Sequence, residues 1–259
     1  MLRSLYTAYT GMSNEQKRLD ILSNNLANVT TAGYKQENTV SQSFDKVLGI
    51  KIRDASEAFN DHAIGHMSLG VKLGELYRDY SQGALRKTSG TYDLAIAGDG
   101  FFAVRTVNRN GEESEKYTRD GNFRITNDGH VTDSEGNQLK TEGGVLEIPL
   151  DATDVAIKRD GSVYADGELV DKIKVVDFED YDYLEKYGDN LFRAVDGATE
   201  KGAVAEIHQG YIEQSNVNSV REMVEMITIE RSYQAGSKAI QTADSMMDKV
   251  INSAGSVSG

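Results

Sequence analysis

Toward the end of the chain, apolar side chains recur at alternating steps of three and four residues: Met226, Ile229, Tyr233, Gly236, Ile240, Ala243, Met247 and Val250. That is the rhythm of a helix built to lie along another helix, and it predicts one over residues 217–251. A second apolar set, Val220, Met223, Val224 and Ile227, widens the stripe over the first turns and gives this end a surface for two neighbours. Ser215 or Asn216 offers a capping side chain just ahead of it. The same rhythm runs through Leu5, Ala8, Met12, Leu19, Leu22, Leu26 and Val29, with Glu15 the polar intruder, and predicts a helix over residues 3–29. One amphipathic helix is explained by packing on its own domain. Two matched seams at opposite termini predict that the ends meet and pack against copies of themselves. Leu5, Met12, Leu19, Leu22, Leu26, Met226, Ile229, Tyr233, Ile240, Met247 and Val250 are therefore candidate subunit-interface residues. Asn24, Asn25 and Asn28 join them: asparagine is a poor helix former, so amides in the last two turns suit hydrogen bonds to a neighbouring backbone or subunit.

The pattern changes between the seams. Gln36 to Leu48 fits a short helix or an extended arm, and Ser56 to Met67 is polar and weakly patterned. The alternation Val71, Leu73, Glu75, Tyr77 predicts a strand, with a turn at Gly83. Over residues 90–210, turn signals such as Asp99-Gly100, Asp128-Gly129, Asp160-Gly161 and Asp166-Gly167 punctuate short β-formers such as Leu94-Ala95-Ile96 and Phe101-Phe102-Ala103-Val104. Short strands at this spacing predict an all-β sandwich or barrel-like domain. The fold class expected is α+β: N- and C-terminal amphipathic helices forming a coiled-coil stalk, with an inserted all-β domain. The expected divisions are an N-terminal helix over residues 1–35, an extended connector over 36–88, the β domain over 89–205, a return segment and long helix over 206–252, and a flexible tail over 253–259.

Charge sharpens this division. The formal charge is −13, which argues against nucleic acid as a partner. The first 35 residues sum to +2 and residues 215–259 to −1, which leaves −14 on residues 36–214. Near-neutral ends crowd together at little electrostatic cost, while an acidic middle keeps free subunits apart. The absence of cysteine removes disulfides, thiolate chemistry and Cys-based zinc sites. No run approaches the roughly twenty apolar residues of a membrane span, so no membrane insertion is expected. Charged residues such as Arg18 and Asp20 interrupt the first apolar stretch, so no cleaved signal peptide is expected.

Candidate chemistry adds little. His62 and His66 have the spacing of a helical zinc pair but lack the accompanying glutamate, and read as two solvated side chains. Gly98-Asp99-Gly100-Phe101-Phe102-Ala103 matches a loose dinucleotide pattern, but strands follow it, so a hairpin turn is expected. Asp133-Ser134-Glu135-Gly136-Asn137 reads as an acidic β-turn, since the bidentate glutamate of a calcium loop is missing. Glu179, Asp180, Asp182 and Glu185 would be the carboxylates of a wall-active hydrolase, the enzymatic alternative. Among forty-one acidic residues, however, such a choice does not discriminate. Tyr181, Tyr183 and Tyr187 could stack on sugar or peptide, yet tyrosine is ordinary on β surfaces. No catalytic, cofactor or metal site is expected.

Three stretches carry a family resemblance. Ser23-Asn24-Asn25-Leu26-Ala27-Asn28-Val29-Thr30-Thr31-Ala32-Gly33-Tyr34-Lys35 resembles the N-terminal signature of bacterial flagellar rod and hook proteins. Gly210-Tyr211-Ile212-Glu213-Gln214-Ser215-Asn216-Val217, with Glu222-Met223-Val224 and Arg231-Ser232-Tyr233, resembles their C-terminal signature. Asp93 to Phe102, with Tyr117-Thr118-Arg119-Asp120-Gly121-Asn122-Phe123, resembles the β-domain signature. Thr91-Tyr92 departs from the Pro-Leu common in the family. The resemblance implies a coiled-coil inner layer around an export channel and an outward β domain. It also implies export unfolded through the flagellar type III apparatus and polymerisation into a tube. Implied partners are copies of the chain, neighbouring rod and hook proteins and the export apparatus. Length favours a distal-rod position, with a hook-type or other axial filament subunit as the alternative.

Overall fold

The structure, a computed structural model, describes residues 2–50, 63–107, 111–188 and 190–255. Among the described residues a long helix stands at each end of a mostly β chain, so the fold is α+β. The helices are α1 (Leu2–Ala27) and α2 (Ser219–Gly255). Between them, in order, come β1 (Glu37–Ser43), β2 (Val47–Ile50), β3 (Ala63–Met67), β4 (Val71–Arg78), β5 (Leu85–Lys87), β6 (Leu94–Gly98), β7 (Phe101–Val107) and β8 (Glu113–Thr118). There follow β9 (Arg124–Ile125), β10 (Val131–Thr132), β11 (Gln138–Leu139), β12 (Val155–Ile157), β13 (Ser162–Ala165) and β14 (Glu168–Lys172). The last strands are β15 (Val175–Phe178), β16 (Leu184–Tyr187), β17 (Leu191–Ala194), β18 (Glu200–Gly202), β19 (Ala205–Gln209) and β20 (Tyr211–Glu213).

The chain divides into two compact units. A helical unit gathers Met1–Ala27, Glu37–Arg78 and Asn218–Gly259; a β unit gathers Asn28–Gln36 and Asp79–Val217.

In the helical unit α1 and α2 run antiparallel, since Asn25 lies by Glu222, Arg18 by Glu225 and Met12 by Gly236. α1 is shorter than its seam suggested: it stops at Ala27, so Val29 lies beyond the helix. The reason is local. Asn28 Oδ1 accepts a hydrogen bond from Thr31 Oγ1, and Asn28 O accepts one from Thr31 N, so a turn competes with another helical turn. At the other end α2 starts two residues later than the pattern predicted, and its cap is neither Ser215 nor Asn216. Asn218 Oδ1 accepts from Val220 N and Arg221 N, both at 3.1 Å. α2 also runs through Ser253, Ala254 and Gly255, residues expected in the tail.

Within the stretch expected as an extended connector, the described residues of β1 to β4 form a paired ribbon. β1 pairs antiparallel with β4, from Glu37↔Arg78 to Ser43↔Val71, and β2 pairs with β3 inside it. The register shifts between Thr39 and Ser41, a bulge that obscures the two-residue alternation in the sequence. His66 lies on β3, so it is not part of a helical pair; His62 lies outside the described residues.

In the β unit the largest sheet has the order β16-β17-β8-β7-β11-β10-β9, with β15 on β7 and β18 on β15. β7 is buried on both faces. Phe102 and Val104 enter one core with Ile96, Leu139, Leu146 and Val163, while Phe101 and Ala103 enter a second with Tyr117, Phe178 and Phe192. The Gly98-Asp99-Gly100 turn does not close a hairpin: β6 pairs with β19 and β7 with β8, β11 and β15, so the turn passes the chain between sheets. The Asp166-Gly167 signal does close one. Both residues have positive φ (50° and 89°) and Ala165 pairs with Glu168, as a two-residue primed turn requires. Asp133 likewise anchors a turn between β10 and β11, its Oδ1 accepting from Glu135 N and Asn137 N.

Candidate functional site

The helical unit holds the sequence-derived interface candidates apart from Asn28, which falls in the β unit. Ile229 (2 % exposed) and Leu22 (6 %) are buried in the seam. Leu5, Met12, Leu19, Leu26, Met226, Ile240 and Met247 are half-buried, while Tyr233 and Val250 are exposed. The seam thus brings most of the predicted residues together but leaves Tyr233, partway along α2, and Val250, near its end, uncovered. At Gly236 the helices approach so closely that a Cβ would stand 2.8 Å from Met12 Cγ. The second apolar set on α2 is left open: Val220 is 68 % exposed, Met223 47 %, Val224 60 % and Ile227 51 %. At 3.6 residues per turn this stripe lies about 140° around α2 from the seam. A groove of about 640 Å³ runs between Val220, Val224 and Ile229 on α2 and Glu15 and Arg18 on α1. Arg18 bridges its floor, with Nη1 3.2 Å from Glu15 and Nη2 3.0 Å from Glu225.

The three asparagines separate by role. Asn24 is exposed. Asn25 is fully buried and mimics a strand partner: its Nδ2 donates to Glu37 O (2.8 Å) and its Oδ1 accepts from Glu37 N (3.0 Å). Its Nδ2 also lies 3.3 Å from the buried carboxylate of Glu222. Asn28, half-buried, holds the turn with Thr31. Helix propensity could not account for these residues; stapling by Asn25 and Asn28 within the chain does.

The β unit contains a cluster that seam periodicity could not reveal. Glu213 Oε1 accepts from Lys35 Nζ (2.7 Å) and Gly83 N (2.8 Å), and Oε2 from Arg119 Nη1 (3.3 Å). The three side chains are 1–3 % exposed. Lys35 Nζ also donates to Ser81 O at 2.8 Å, and Glu213 O accepts from Gly33 N at 2.9 Å. Burial holds the Lys35 amine below its usual range; Glu213 opposes the shift and Arg119 adds to it. Gly33 has φ 67°, and a Cβ there would stand 2.4 Å from Arg119 C and Asp120 N. Asn216 clamps the same region, its Oδ1 accepting from Gln36 N and its Nδ2 donating to Asp79 O, both at 2.8 Å. The available signal was the placement of Lys35, Arg119 and Glu213 inside the signature stretches, beside residues that read as buried.

The tyrosines considered for stacking are partly absorbed by the core. Tyr181 packs on Tyr80, with ring centroids 4.9 Å apart, and its hydroxyl donates to Asp177 Oδ1. Lys116 Nζ sits 4.2 Å from the Tyr187 ring centroid. Among the described residues no helix is long and apolar enough to cross a membrane.

An α+β chain whose polar signature residues staple its own backbone, and whose apolar surface lies on paired terminal helices, has the make-up of a structural protein. Comparison with known proteins specifies which. Residues 5–35 match the family described as flagella basal body rod protein, residues 95–165 the flagellar hook protein FlgE/F/G D1 domain, and residues 208–253 the flagellar basal body rod FlgEFG protein C-terminal region. The chain is 35 % identical to the flagellar basal-body rod protein FlgG of Bacillus subtilis, over 97 % of this chain and 99 % of the relative. It is 34 % identical to FlgG of Caulobacter vibrioides (95 % and 97 % covered) and 33 % identical to the rod protein FlgF of the same organism (96 % and 98 %). The chain belongs to the flagellar basal-body rod protein family. It is a structural component of the flagellar basal body, not an enzyme.

Proposed function

We propose that this chain is a distal-rod subunit that assembles through its terminal helices into a hollow, torque-transmitting tube. Its partners in that role are copies of itself, the adjoining rod and hook proteins, and the type III apparatus that exports it. The observation that carries this reading is the open stripe Val220–Met223–Val224–Ile227, on a different face of α2 from the seam that α1 covers. Covering half-exposed side chains of this size stabilises by roughly 1 kcal/mol each, and a lattice repeats that gain at every subunit. A patch that meets a different surface on the next copy gives a contact that does not close on itself, which builds a helical tube. The three-four spacing and antiparallel pairing of α1 and α2 support knobs-into-holes packing in a stalk. Within this reading Leu5, Met12, Leu19, Leu22, Leu26, Met226, Ile229 and Ile240 order the helix pair. Tyr233, Met247 and Val250 extend the surface met by neighbouring copies, along with the exposed Asn24.

Sedimentation and electron microscopy of the full chain test this. Raising the concentration should drive the wild type into tubes or large oligomers, while a Val224→Glu/Ile227→Glu variant should remain monomeric with its β unit folded. Assembly of that variant at the wild-type concentration contradicts the reading.

A further inference from the structure

The Lys35–Glu213–Arg119 cluster draws one residue from each of the three separately matched regions. Two cations are gathered by segments far apart in sequence, and one carboxylate, delivered on β20, lies between them. The same carboxylate accepts from Gly83 N, and β20 pairs with β5 through Glu213↔Leu85. Removing Glu213 would leave two like charges buried beside each other and an unsatisfied amide at Gly83. That is the costly way to break a buried ion pair, since the remaining charges keep their desolvation penalty without compensation.

We propose that this cluster is a closing lock. The β unit becomes a stable body only when Glu213, on the C-terminal return strand, enters between Lys35 and Arg119. The N-terminal stretch 28–36, the central stretch around Arg119 and the return segment 205–217 are thereby held as one cooperative whole. Until the return segment docks, the two cations have no reason to leave water, and the edges of β5 and β6 that receive β20 and β19 stay unpaired. The lock makes folding of the β unit conditional on the return segment, and it gives Lys35, Arg119 and Glu213 a shared role inside the three signature stretches.

The groups facing Lys35 are Glu213, Arg119 and Asp79. With Glu213 made neutral, the Lys35 ammonium keeps the repulsion of Arg119 and loses its closest anion, so the protein should gain stability as pH rises and Lys35 sheds its proton. A pure packing role for Glu213 predicts no greater pH dependence than that of wild type.

The test uses the full chain and hydrogen exchange read by mass spectrometry, with thermal melting at pH 7 and pH 10. Glu213→Gln should raise exchange more than a hundredfold, together, in peptides covering residues 29–36, 80–88, 116–122 and 205–216. That factor corresponds to the roughly 3 kcal/mol at the lower end for leaving a buried charge unpaired. Its melting temperature, relative to wild type, should rise from pH 7 to pH 10, and Lys35→Met added to Glu213→Gln should abolish that rise. Exchange within twofold of wild type in all four segments overturns the proposal, as does loss of protection in the return segment alone. If Glu213→Gln does not fold, Lys35→Met/Arg119→Met/Glu213→Gln decides: recovery of a folded β unit shows that the uncompensated cations caused the failure and supports the proposal, and no recovery overturns it.

Discussion

Gly33 shows how much rests on single residues. Its φ of 67° is left-handed, and its missing Cβ leaves room for the backbone of Arg119 and Asp120. Gly33→Ala should therefore destabilise the β unit by more than about 1 kcal/mol, read as a melting-temperature loss of several degrees. An unchanged melt would mean that the approach is relaxed at no cost. Lys35 gives a second prediction. Its amine has a lower pKa folded than unfolded, so between the folded pKa and the ordinary lysine value of 10.5 the unfolded chain binds more protons. Stability must then rise with pH through that window, and the contribution absent at neutral pH appears above it. The unfolding free energy of wild type should climb relative to Lys35→Met as pH rises through the alkaline range toward 10.5, as measured by urea titration. These residues were visible in the sequence only as letters of a resemblance. Nothing in local spacing says that positions 35, 119 and 213 meet, because the contacts span up to 178 residues.

Elements with a sustained period were legible, and those with an interrupted one were not. The seams on α1 and α2 named helices of nearly the right extent, since three-four spacing held over many turns matches the helical period and not that of a strand. Their ends were less legible, because caps are set by one side chain. Asn218, two residues past the expected cap, satisfies two amides at the start of α2. Asn218→Ala should cost about 1 kcal/mol and fray the first turn of α2, seen as faster amide exchange at Val220 and Arg221; unchanged exchange there would show that another group caps the helix. The ribbon of β1 to β4 escaped prediction as a paired element for a different reason. The alternation from Val71 to Tyr77 marked β4 as a strand, but β1 carries polar residues on its exposed face and the pairing shifts at a bulge, so nothing in the period named its partner. In the β unit the Asp-Gly turns were legible because their geometry demands those residues, as at Asp166 and Gly167. The sheet order was not, since pairing of β7 with β8, β11 and β15 is decided by burial on both faces of one strand.

At the scale of the whole molecule, charge and apolar surface are separated along the chain. The acidic excess lies on residues 36–214, while the near-neutral terminal segments supply a helix pair with a stripe left open on α2. Self-repulsion keeps free chains dispersed, and its range shrinks from about 10 Å at 0.1 M salt to about 3 Å at 1 M. Raising ionic strength should therefore lower the concentration at which the wild type assembles, measured by light scattering; insensitivity to salt would remove charge from the account. The most direct measurement is a cryo-electron microscopy reconstruction of the assembled chain at side-chain resolution. Val220, Met223, Val224 and Ile227 should each be buried against a neighbouring copy, and the same four side chains facing solvent in an intact assembly would contradict the account.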